Sequence, residues 1–479
     1  MILSDSNQSH ISRRHLIWII FGLILLGLFI FLLIISNKFQ LELPLVKKPV
    51  LLMVSILIIS GLIFLYLTRF AETETKSKNL IIWIITVGAL LRLITVFSTP
   101  ILEDDYYRYL WDGAVTANGE NPFKYSPKSV IDNDSSVPAS LDSLAEDSGN
   151  IIERINHPHI RTIYPIVAQL FFAGAYILFP WSLMGWRIVL LLVDVINLIL
   201  LLQLLKFFNL RSALVMIYWW NPLLVKEIFN SGHMDILIFP FVLGAMLLLV
   251  KNRYLMSSGF LALGVGVKLW PILLLPLLLK RVFSDYKKMV SAFLVFAIIS
   301  ILIFIPVYLS GVDETSGFST YSKSWENNDA FFTLVVWIWQ VILPVFGAHP
   351  GYGQLAARIT VFTILGILIL FLLVRNSRDN VNVFNSCLII IGAAFLISPT
   401  QFPWYFVWLI PFLTIKPKMS LLILTAILPL YYLRYYFEPR GNLNLFNYGV
   451  VWIEFVPVWI LLIRDLLKSR KEQIALMNS

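Results

Sequence analysis

The sequence contains little cysteine and little charge for its length. One cysteine occurs among 479 residues, and only 14% of the residues are charged. A single cysteine, Cys387, excludes an intramolecular disulfide, and its position inside an apolar run argues against a thiol site. Hydrophobic residues make up 58% of the chain, which excludes an ordinary soluble enzyme.

Familiar nucleotide and nucleophile motifs are also missing. The chain has no Walker sequence, no glycine-rich dinucleotide turn and no nucleophile elbow, so a nucleotide-sugar donor has no obvious docking site. His157 and His159 form a pair that suits a metal ion, but no second ligand pair at zinc spacing accompanies them. We therefore predict no metal site and no cofactor, although the pattern leaves a divalent metal open.

Long apolar runs recur throughout the chain, and they are long enough to cross a hydrocarbon core of about 30 Å. The first run, from about Leu16 to Ile35, is too long for the core of a signal peptide and is counted as a helix. The sequence predicts an all-α, polytopic transmembrane helical bundle of about 11–14 spans, some of them broken or re-entrant. Residues 1–479 are predicted to form a single membrane domain.

The formal net charge of +9 is explained by topology rather than by nucleic-acid binding, because Lys and Arg lie mostly in short loops. Arg13 and Arg14 are expected to hold the N-terminus in the cytoplasm, so that the third helix delivers residues 101–162 to the outer face. This loop is the longest polar stretch, and it is acidic. Further along, two half-helices meeting near Lys268 and Pro271 would leave the basic residues on both sides in the cytoplasm.

Two adjacent carboxylates, Asp104 and Asp105, directly follow the third apolar run. Residues 104–118 are predicted to form a short helix at the membrane interface, with its aromatic residues at headgroup depth. On that helix Asp104, Arg108 and Asp112 have i, i+4, i+8 spacing, so Arg108 is predicted to pair with both carboxylates. An alternative interpretation is an interfacial helix whose charges are only solvated or mutually paired.

Five polar segments are predicted to share the outer face and to outline a cavity. They are the acidic pair, FNSGHMD with His233 and Asp235, YSKSWENNDAFF, SPTQFPWYF with Gln401, Trp404 and Tyr405, and YYFEPRGN. Ionisable groups near membrane depth are costly and tend to mark function. Carboxylates there suit a general base, Arg and Lys suit a phosphate, and aromatic faces suit a sugar ring.

Structural interpretations of several residues stay open. His233 and Asp235 are equally suited to capping the helix that follows, and Lys268 could extend to the nearer membrane surface. Asp194 is more typical of a buried partner for another helix than of a catalyst, and Arg92 is interpreted as structural.

Taken together, these segments resemble the GT-C superfamily of membrane glycosyltransferases, and within it the bacterial mannosyltransferases that use polyprenol-phosphate mannose. The resemblance rests on EDDYYRYLWDGAVTANGENPF, TIYP at 162–165, WNPLLVKEIFNSGHMD at 220–235, GVGVKLWPILLLP at 264–276 and SPTQFPWY at 398–405. These segments follow one another in consistent order over roughly positions 80–410.

The resemblance implies transfer of a hexose, with mannose expected, from a polyprenyl-phosphate donor to an extracytoplasmic glycan or lipid acceptor. The family pattern falls on Asp105, Tyr107, Tyr109, Leu110 and Gly113, which makes Asp105 the expected catalytic base and Asp104 its neighbour or substitute. The other expected substrate-binding residues are Arg108, Tyr107, Tyr109, Asp112, His233, Asp235, Lys268, Gln401, Trp404 and Tyr405.

The expected location is a bacterial cytoplasmic membrane, with a multi-pass chain and an outward-facing active site. The expected partners are the sugar donor, the acceptor and the lipid bilayer, with no nucleic acid. A flippase of lipid-linked sugars is an alternative, but it would need a polar path through the membrane, whereas the predicted polar residues cluster at one face. A ligase of lipid-linked saccharides is another alternative, favoured by Arg-rich outward loops, and the main loop here is acidic.

Overall fold

The computed structural model describes residues 2–74, 77–311, 316–317, 325–375 and 380–477, with side chains from residue 15 to residue 468. The regular elements in the described part of the chain are helices, and no β-strand occurs in it. An isolated bridge pairs Asn327 with Thr400. The predicted all-α fold is confirmed.

The first half of the chain combines long apolar helices with the short helices of the polar loop. The α-helices are α1 (Ile2–Ser36), α2 (Val50–Ala71), α3 (Lys78–Val96), α4 (Tyr106–Ala117), α5 (Pro127–Ile131), α6 (Ala139–Asp147), α7 (Ile166–Leu178), α8 (Leu183–Phe207), α9 (Met216–Trp219), α10 (Pro222–Val225) and α11 (Phe239–Val250). A π-helical turn, Lys226–Asn230, continues α10.

The second half has several short helices between its long ones. The α-helices are α12 (Tyr254–Val265), α13 (Leu275–Lys280), α14 (Tyr286–Leu309), α15 (Phe331–Val345), α16 (Gly353–Arg375), α17 (Asn380–Ile397), α18 (Pro403–Phe406), α19 (Ile410–Ile415), α20 (Met419–Leu422), α21 (Leu424–Ile427), α22 (Arg434–Phe437), α23 (Leu443–Leu445) and α24 (Val451–Met477). A 3₁₀ turn, Leu428–Leu433, links α21 to α22.

Eight helices among the described residues are long and apolar enough to cross a membrane. A bent pair, 222–230 with 234–250, adds a ninth span if its two halves count as one. Five more apolar helices have only 10–17 residues. The predicted number of spans is therefore reached only when these shorter helices are included.

Two chain breaks bring polar residues into the middle of the helical bundle. The bent pair turns through 101° at 231–233, where Gly232 has a φ of +80° that suits glycine. The second break confirms the predicted half-helices, because α12 ends at Val265 and a 3₁₀ turn starts only at Trp270, after Lys268. Irregular backbone of this kind is stable in a membrane protein when other protein segments cover it.

Helix α4 is the short helix predicted after the third apolar run, but its environment differs from the prediction. All residues from Tyr106 to Val115 are buried, so the aromatic side chains pack inside the protein rather than on its surface. The reason is close packing of α4 along α7, made possible by Gly113 against the backbone of Phe172.

Replacing Gly113 by alanine is expected to separate α4 from α7. The added methyl group would lie 2.5 Å from the carbonyl oxygen of Phe172, which is backbone and cannot rotate away. We expect a loss of about 1–3 kcal/mol in the free energy of unfolding, measured by thermal unfolding in detergent. Gly174→Ala in α7 is the matched control, since nothing lies within 4 Å of its added methyl. Equal melting temperatures for the two variants would contradict the prediction.

Arg92 and Asp194 form a buried ion pair between α3 and α8, with Nε and Oδ2 2.5 Å apart. The Arg92 guanidinium also donates to the carbonyl oxygens of Gly88 and Trp219, and the Tyr218 hydroxyl donates to Asp194. The structural interpretation of both residues is confirmed, because each charge is occupied by partners inside the bundle.

Candidate active site

A cavity of about 690 Å³ lies where the chain breaks meet the polar loop. Its lining comes from residues within the segments 103–109, 156–164, 325–327, 402–405 and 431–435, together with Asp235, Lys268 and Gly317. All five polar segments predicted to converge therefore contribute residues to the lining. From YSKSWENNDAFF these residues are Trp325, Glu326 and Asn327. The part of that loop at 321–324 lies outside the described residues.

Glu103, Asp104 and Asp105 form one side of the cavity, which we call the acidic wall. The Asn156 side chain donates to Oδ1 of Asp104 and to Oδ1 of Asp105, each at 2.8 Å, and holds the two carboxylates together. Burial raises the pKa of Asp104 to about 6, and the negative charges of Asp105 and Glu103 add to this shift. Asp104 is therefore a member of the acidic wall whose pKa is raised, mainly by burial and further by its acidic neighbours.

Arg108 does not pair with Asp104, contrary to the prediction. Helix α4 begins at Tyr106, so Asp104 precedes the helix and the i, i+4 spacing does not apply to it. The Arg108 guanidinium lies 4.0 Å from Asp112 and donates to the carbonyl oxygens of His157 and Ile160. Arg108 therefore fixes the loop that carries Asn156, while still lining the cavity.

Four of the residues expected to bind substrate do not line the cavity, namely Tyr107, Asp112, His233 and Gln401. Asp112 is buried behind it, accepts a hydrogen bond from Gln169, and has a pKa raised by burial. Gln401 is also buried, and its side-chain amide donates to the carbonyl oxygens of Leu396 and Ser398. These contacts hold both side chains inside the fold and away from the cavity lining.

Tyr107 faces a second cavity of about 420 Å³, while Tyr109 lines the first. The Arg154 guanidinium donates to the Tyr107 hydroxyl at 3.0 Å. Glu103, Asp104 and Tyr435 line both cavities. The acidic wall is therefore accessible from two sides, a property that suits a reaction between two substrates.

Lys268 and Asp235 form an ion pair at the cavity, with Nζ and Oδ1 2.7 Å apart. The indole N–H of Trp408 donates to the same Asp235 oxygen at 2.6 Å, and the Lys268 ammonium lies 4.2 Å from the centre of the Tyr405 ring. The alternative in which Lys268 extends to the membrane surface is wrong, because Asp235 holds it in place. Trp404 and Tyr405 both line the cavity, as predicted.

His233 is fully buried and lies behind the acidic wall, outside the cavity lining. Its ring stacks on Trp404 with centres 4.1 Å apart. Its nitrogens lie 3.7 Å from Glu103, 3.7 Å from Asp105 and 3.8 Å from Glu227. The capping alternative fails for His233, since its side chain makes no capping hydrogen bond to the following turn.

Several residues at the site were missed by the sequence analysis. Glu103 immediately precedes the acidic pair, and Lys226 with Glu227 lies in the apolar run before GHMD. A buried Lys–Glu pair in such a run carries the same signal of costly charge that singled out Asp194. Arg434 carries this signal too, because it lies within the apolar span Met419–Arg440. Asn156 and Arg161 had no such signal, since they lie in polar segments, where their types are common.

Asn156→Ala is expected to slow the reaction at the acidic wall without unfolding the protein. The substitution removes hydrogen bonds to both Asp104 and Asp105, so the carboxylates lose their fixed position. We expect turnover to fall about 10-fold, or more, in a sugar-transfer assay. Ser140→Ala in the same loop, where the hydroxyl contacts only the exposed Glu120, should retain wild-type turnover. Unchanged turnover in Asn156→Ala would remove Asn156 from the site.

Comparison with known proteins supports a glycosyltransferase. Residues 163–399 match the family model of glycosyltransferase family 87, a region that excludes the acidic wall. The chain is 22% identical over 409 residues to Alpha-(1->6)-mannopyranosyltransferase A of Corynebacterium glutamicum, covering 76% of this chain and 77% of that protein. No solved structure matches the chain. These matches, with the helical architecture and its membrane-spanning helices, support a GT-C type membrane glycosyltransferase that is similar to mannosyltransferases.

Proposed function

We propose that the protein transfers a hexose, mannose by preference, from a polyprenyl-phosphate donor to an extracytoplasmic glycan or lipid acceptor. The observation that carries this proposal is the cavity, which combines the acidic wall with basic and aromatic groups. The mannosyltransferase similarity of the chain supports the choice of sugar. The absence of nucleotide-binding motifs from the sequence supports a lipid phosphate as the leaving group.

The acidic wall supplies the general base. In this proposal the carboxylate of Asp105 accepts the proton of the acceptor hydroxyl, and the oxygen attacks the anomeric carbon of the sugar. The bond between that carbon and the donor phosphate oxygen breaks, and the lipid phosphate leaves with the bonding electrons. Asp104 is the alternative base, since Asn156 holds both carboxylates at equal distance.

Basic side chains of the cavity neutralise the negative charge that develops on the leaving phosphate. Arg161, Lys268 and Arg434 all line the cavity. Lys268 is partly neutralised by Asp235 at 2.7 Å, whereas Arg434 contacts the neutral amide oxygen of Asn327 at 2.8 Å and lies 3.5 Å from Glu438. Arg434 therefore has the greater capacity for a phosphate, because guanidinium groups bind phosphate through several donors at once.

Aromatic faces of the cavity suit the sugar. Trp404 and Tyr405 line it, and Phe402 stacks on Trp404 with ring centres 4.2 Å apart. Stacked rings of this kind form a rigid apolar platform next to the acidic wall. His233 and Phe402 stack on the two faces of Trp404, so a pyranose in the cavity would contact Phe402 or Tyr405 with its ring carbons and present its hydroxyls to the polar lining.

The proposed location is a bacterial cytoplasmic membrane, with the cavity open to the outer face. The multi-pass character of the chain is carried by its apolar helices. The outward orientation rests on the positive-inside rule applied to the loops, and it places the acceptor among glycans or lipids of the cell envelope. The bilayer holds the lipid donor, and no nucleic acid takes part.

A transfer assay in proteoliposomes tests the function directly. The purified chain is supplied with radiolabelled polyprenyl-phosphate mannose and a lipid extract as acceptor, and the products are separated by chromatography. Label in a new glycosidic bond, with no product from a nucleotide-linked mannose, is the expected result. Movement of the lipid-linked sugar across the bilayer without a new bond would contradict the proposal and favour a flippase.

A further inference from the structure

Three potential metal ligands converge behind the acidic wall. They are Glu103, Glu227 and His233, and one ligand atom from each lies within 4.8 Å of the others. Glu227 and His233 are fully buried, and the Glu103 side chain is 7% exposed. The three come from distant parts of the chain, since Glu103 precedes α4 while Glu227 and His233 flank the 101° break. We call them the ligand triad.

The distances from His233 to the two glutamates fit a metal ion with a small contraction. His233 Nε2 lies 3.7 Å from Glu103 Oε2 and 3.8 Å from Glu227 Oε2. Donors held about 2.1 Å from a tetrahedral ion are about 3.4 Å apart, so each distance exceeds the ideal by a few tenths of an ångström. The distances are too long for hydrogen bonds, so the triad atoms do not satisfy one another directly.

Unsatisfied polar atoms point to a missing ligand at the same place. Both ring nitrogens of the fully buried His233 and Oε1 of Glu103 have no hydrogen-bond partner in the described part of the chain. Buried polar atoms without partners are rare and costly in folded proteins. An ion between Nε2 of His233 and the two glutamates would satisfy these groups, and Nδ1 would then carry the proton facing Asp105.

The charge of the region also favours a divalent cation. Three carboxylates, those of Glu103, Asp105 and Glu227, lie within 3.8 Å of the His233 ring. Among the described residues that contact the triad, Lys226 is the positively charged one that faces these carboxylates. Its Nζ lies 3.4 Å from Oε1 of Glu227. With a neutral histidine, two negative charges remain in excess, and one divalent cation balances them.

We propose that the ligand triad binds one divalent cation that accepts both nitrogen and oxygen donors, such as Mn²⁺ or Zn²⁺. Imidazole favours Zn²⁺ and carboxylates favour Mn²⁺, and a mixed set suits either ion. Glu103 lines both cavities, so it offers the ion a route of entry. The inference goes beyond the proposed sugar transfer and does not rest on it.

The cation has a positioning role toward the acidic wall. It fixes the His233 ring so that its Nδ1–H faces Oδ2 of Asp105, which lies 3.7 Å away. A carboxylate that accepts the second nitrogen of a metal-bound histidine is a common outer partner in metal sites. If ion binding brings the His233 ring closer to Asp105, the Nδ1–H would add a second hydrogen bond to the one that Asp105 accepts from Asn156.

The experiment measures metal content directly. Purified wild-type protein is loaded with Mn²⁺ or Zn²⁺, freed of excess ion by gel filtration, and analysed by plasma mass spectrometry, with thermal unfolding in the presence and absence of a chelator. About one ion per chain and a chelator-sensitive melting temperature are expected. Less than about one tenth of an equivalent of either ion in the wild type would overturn the proposal, whatever the transfer assay gives.

Two variants locate the ion. Glu103→Gln and His233→Asn are each expected to weaken binding at least about 10-fold. Glu326→Gln is the matched control, since it removes a cavity carboxylate that contacts Arg358 and Gln354 and lies outside the ligand triad. Unchanged binding in both triad variants would also overturn the proposal, and thermal unfolding of each variant checks that a loss of binding is not due to a loss of folded protein.

Discussion

Asp105→Asn is expected to lower sugar transfer about 100- to 10,000-fold while leaving the protein folded. An amide has the size and shape of the carboxylate and keeps hydrogen-bonding capacity toward Asn156, but it cannot accept the proton of an acceptor hydroxyl. The effect should lie in turnover at saturating donor, because the donor phosphate is held by other groups of the cavity. Initial rates with radiolabelled polyprenyl-phosphate mannose measure it.

Two further variants make this prediction specific. Asp132→Asn is the matched control in the same loop, because Asp132 pairs with Lys128 at the surface and is exposed, so transfer should be unchanged. Asp104→Asn should reduce transfer less than Asp105→Asn does, if Asp105 is the base. A larger loss in Asp104→Asn would exchange their roles, and full activity in both would refute a base on the acidic wall.

Asp194→Ala is expected to cause the largest loss of stability, about 3–5 kcal/mol in the free energy of unfolding. The substitution leaves Arg92 charged inside the bundle, with carbonyl oxygens and the rings of Trp219 and Phe229 as its partners among the described residues. It also removes the acceptor of the Tyr218 hydroxyl. Unfolding in lipid bicelles by denaturant, followed by tryptophan fluorescence, measures the loss.

A double replacement distinguishes the unpaired charge from a simple packing defect. Arg92→Met combined with Asp194→Leu should recover much of the lost stability, because the buried charge is removed with its partner. Asp465→Asn serves as the control for an exposed pair, since Asp465 lies 4.0 Å from Arg464 at the surface, and its effect should be small. Equal destabilisation in the single and double variants would contradict the explanation.

The helical bundle could be predicted from the sequence because an apolar run is a local signal. A helix in a membrane satisfies its backbone hydrogen bonds within one segment, so an apolar run such as that in α8 indicates a helix without knowledge of its neighbours. The half-helices around Lys268 were also predictable, because basic residues flank both ends of the stretch. The ends of helices were harder to predict from the sequence. Because α4 starts at Tyr106, Arg108 lies near Asp112 and does not pair with Asp104.

The candidate site was only partly predictable. Residue type and position indicated Asp104, Asp105, Lys268 and Tyr405 as cavity residues, and all four line it. Gln401 shares a segment with Trp404 and Tyr405, but its amide donates to backbone carbonyl oxygens. Its orientation is set by the local turn, which the residue type does not predict. Asn156 lies 51 residues after Asp105, and no spacing rule connects an asparagine in a loop with a distant carboxylate.

The sequence by itself determined the helical membrane architecture and the acidic pair at the end of the third helix, because hydropathy and local charge act on neighbouring residues. Tertiary structure decided the partners of those charges. It placed Asn156 on both aspartates and Asp235 on Lys268, and it brought Glu227 and His233 behind Glu103. The physical reason is that contacts between side chains far apart in sequence depend on how bent helices pack, which no local pattern specifies.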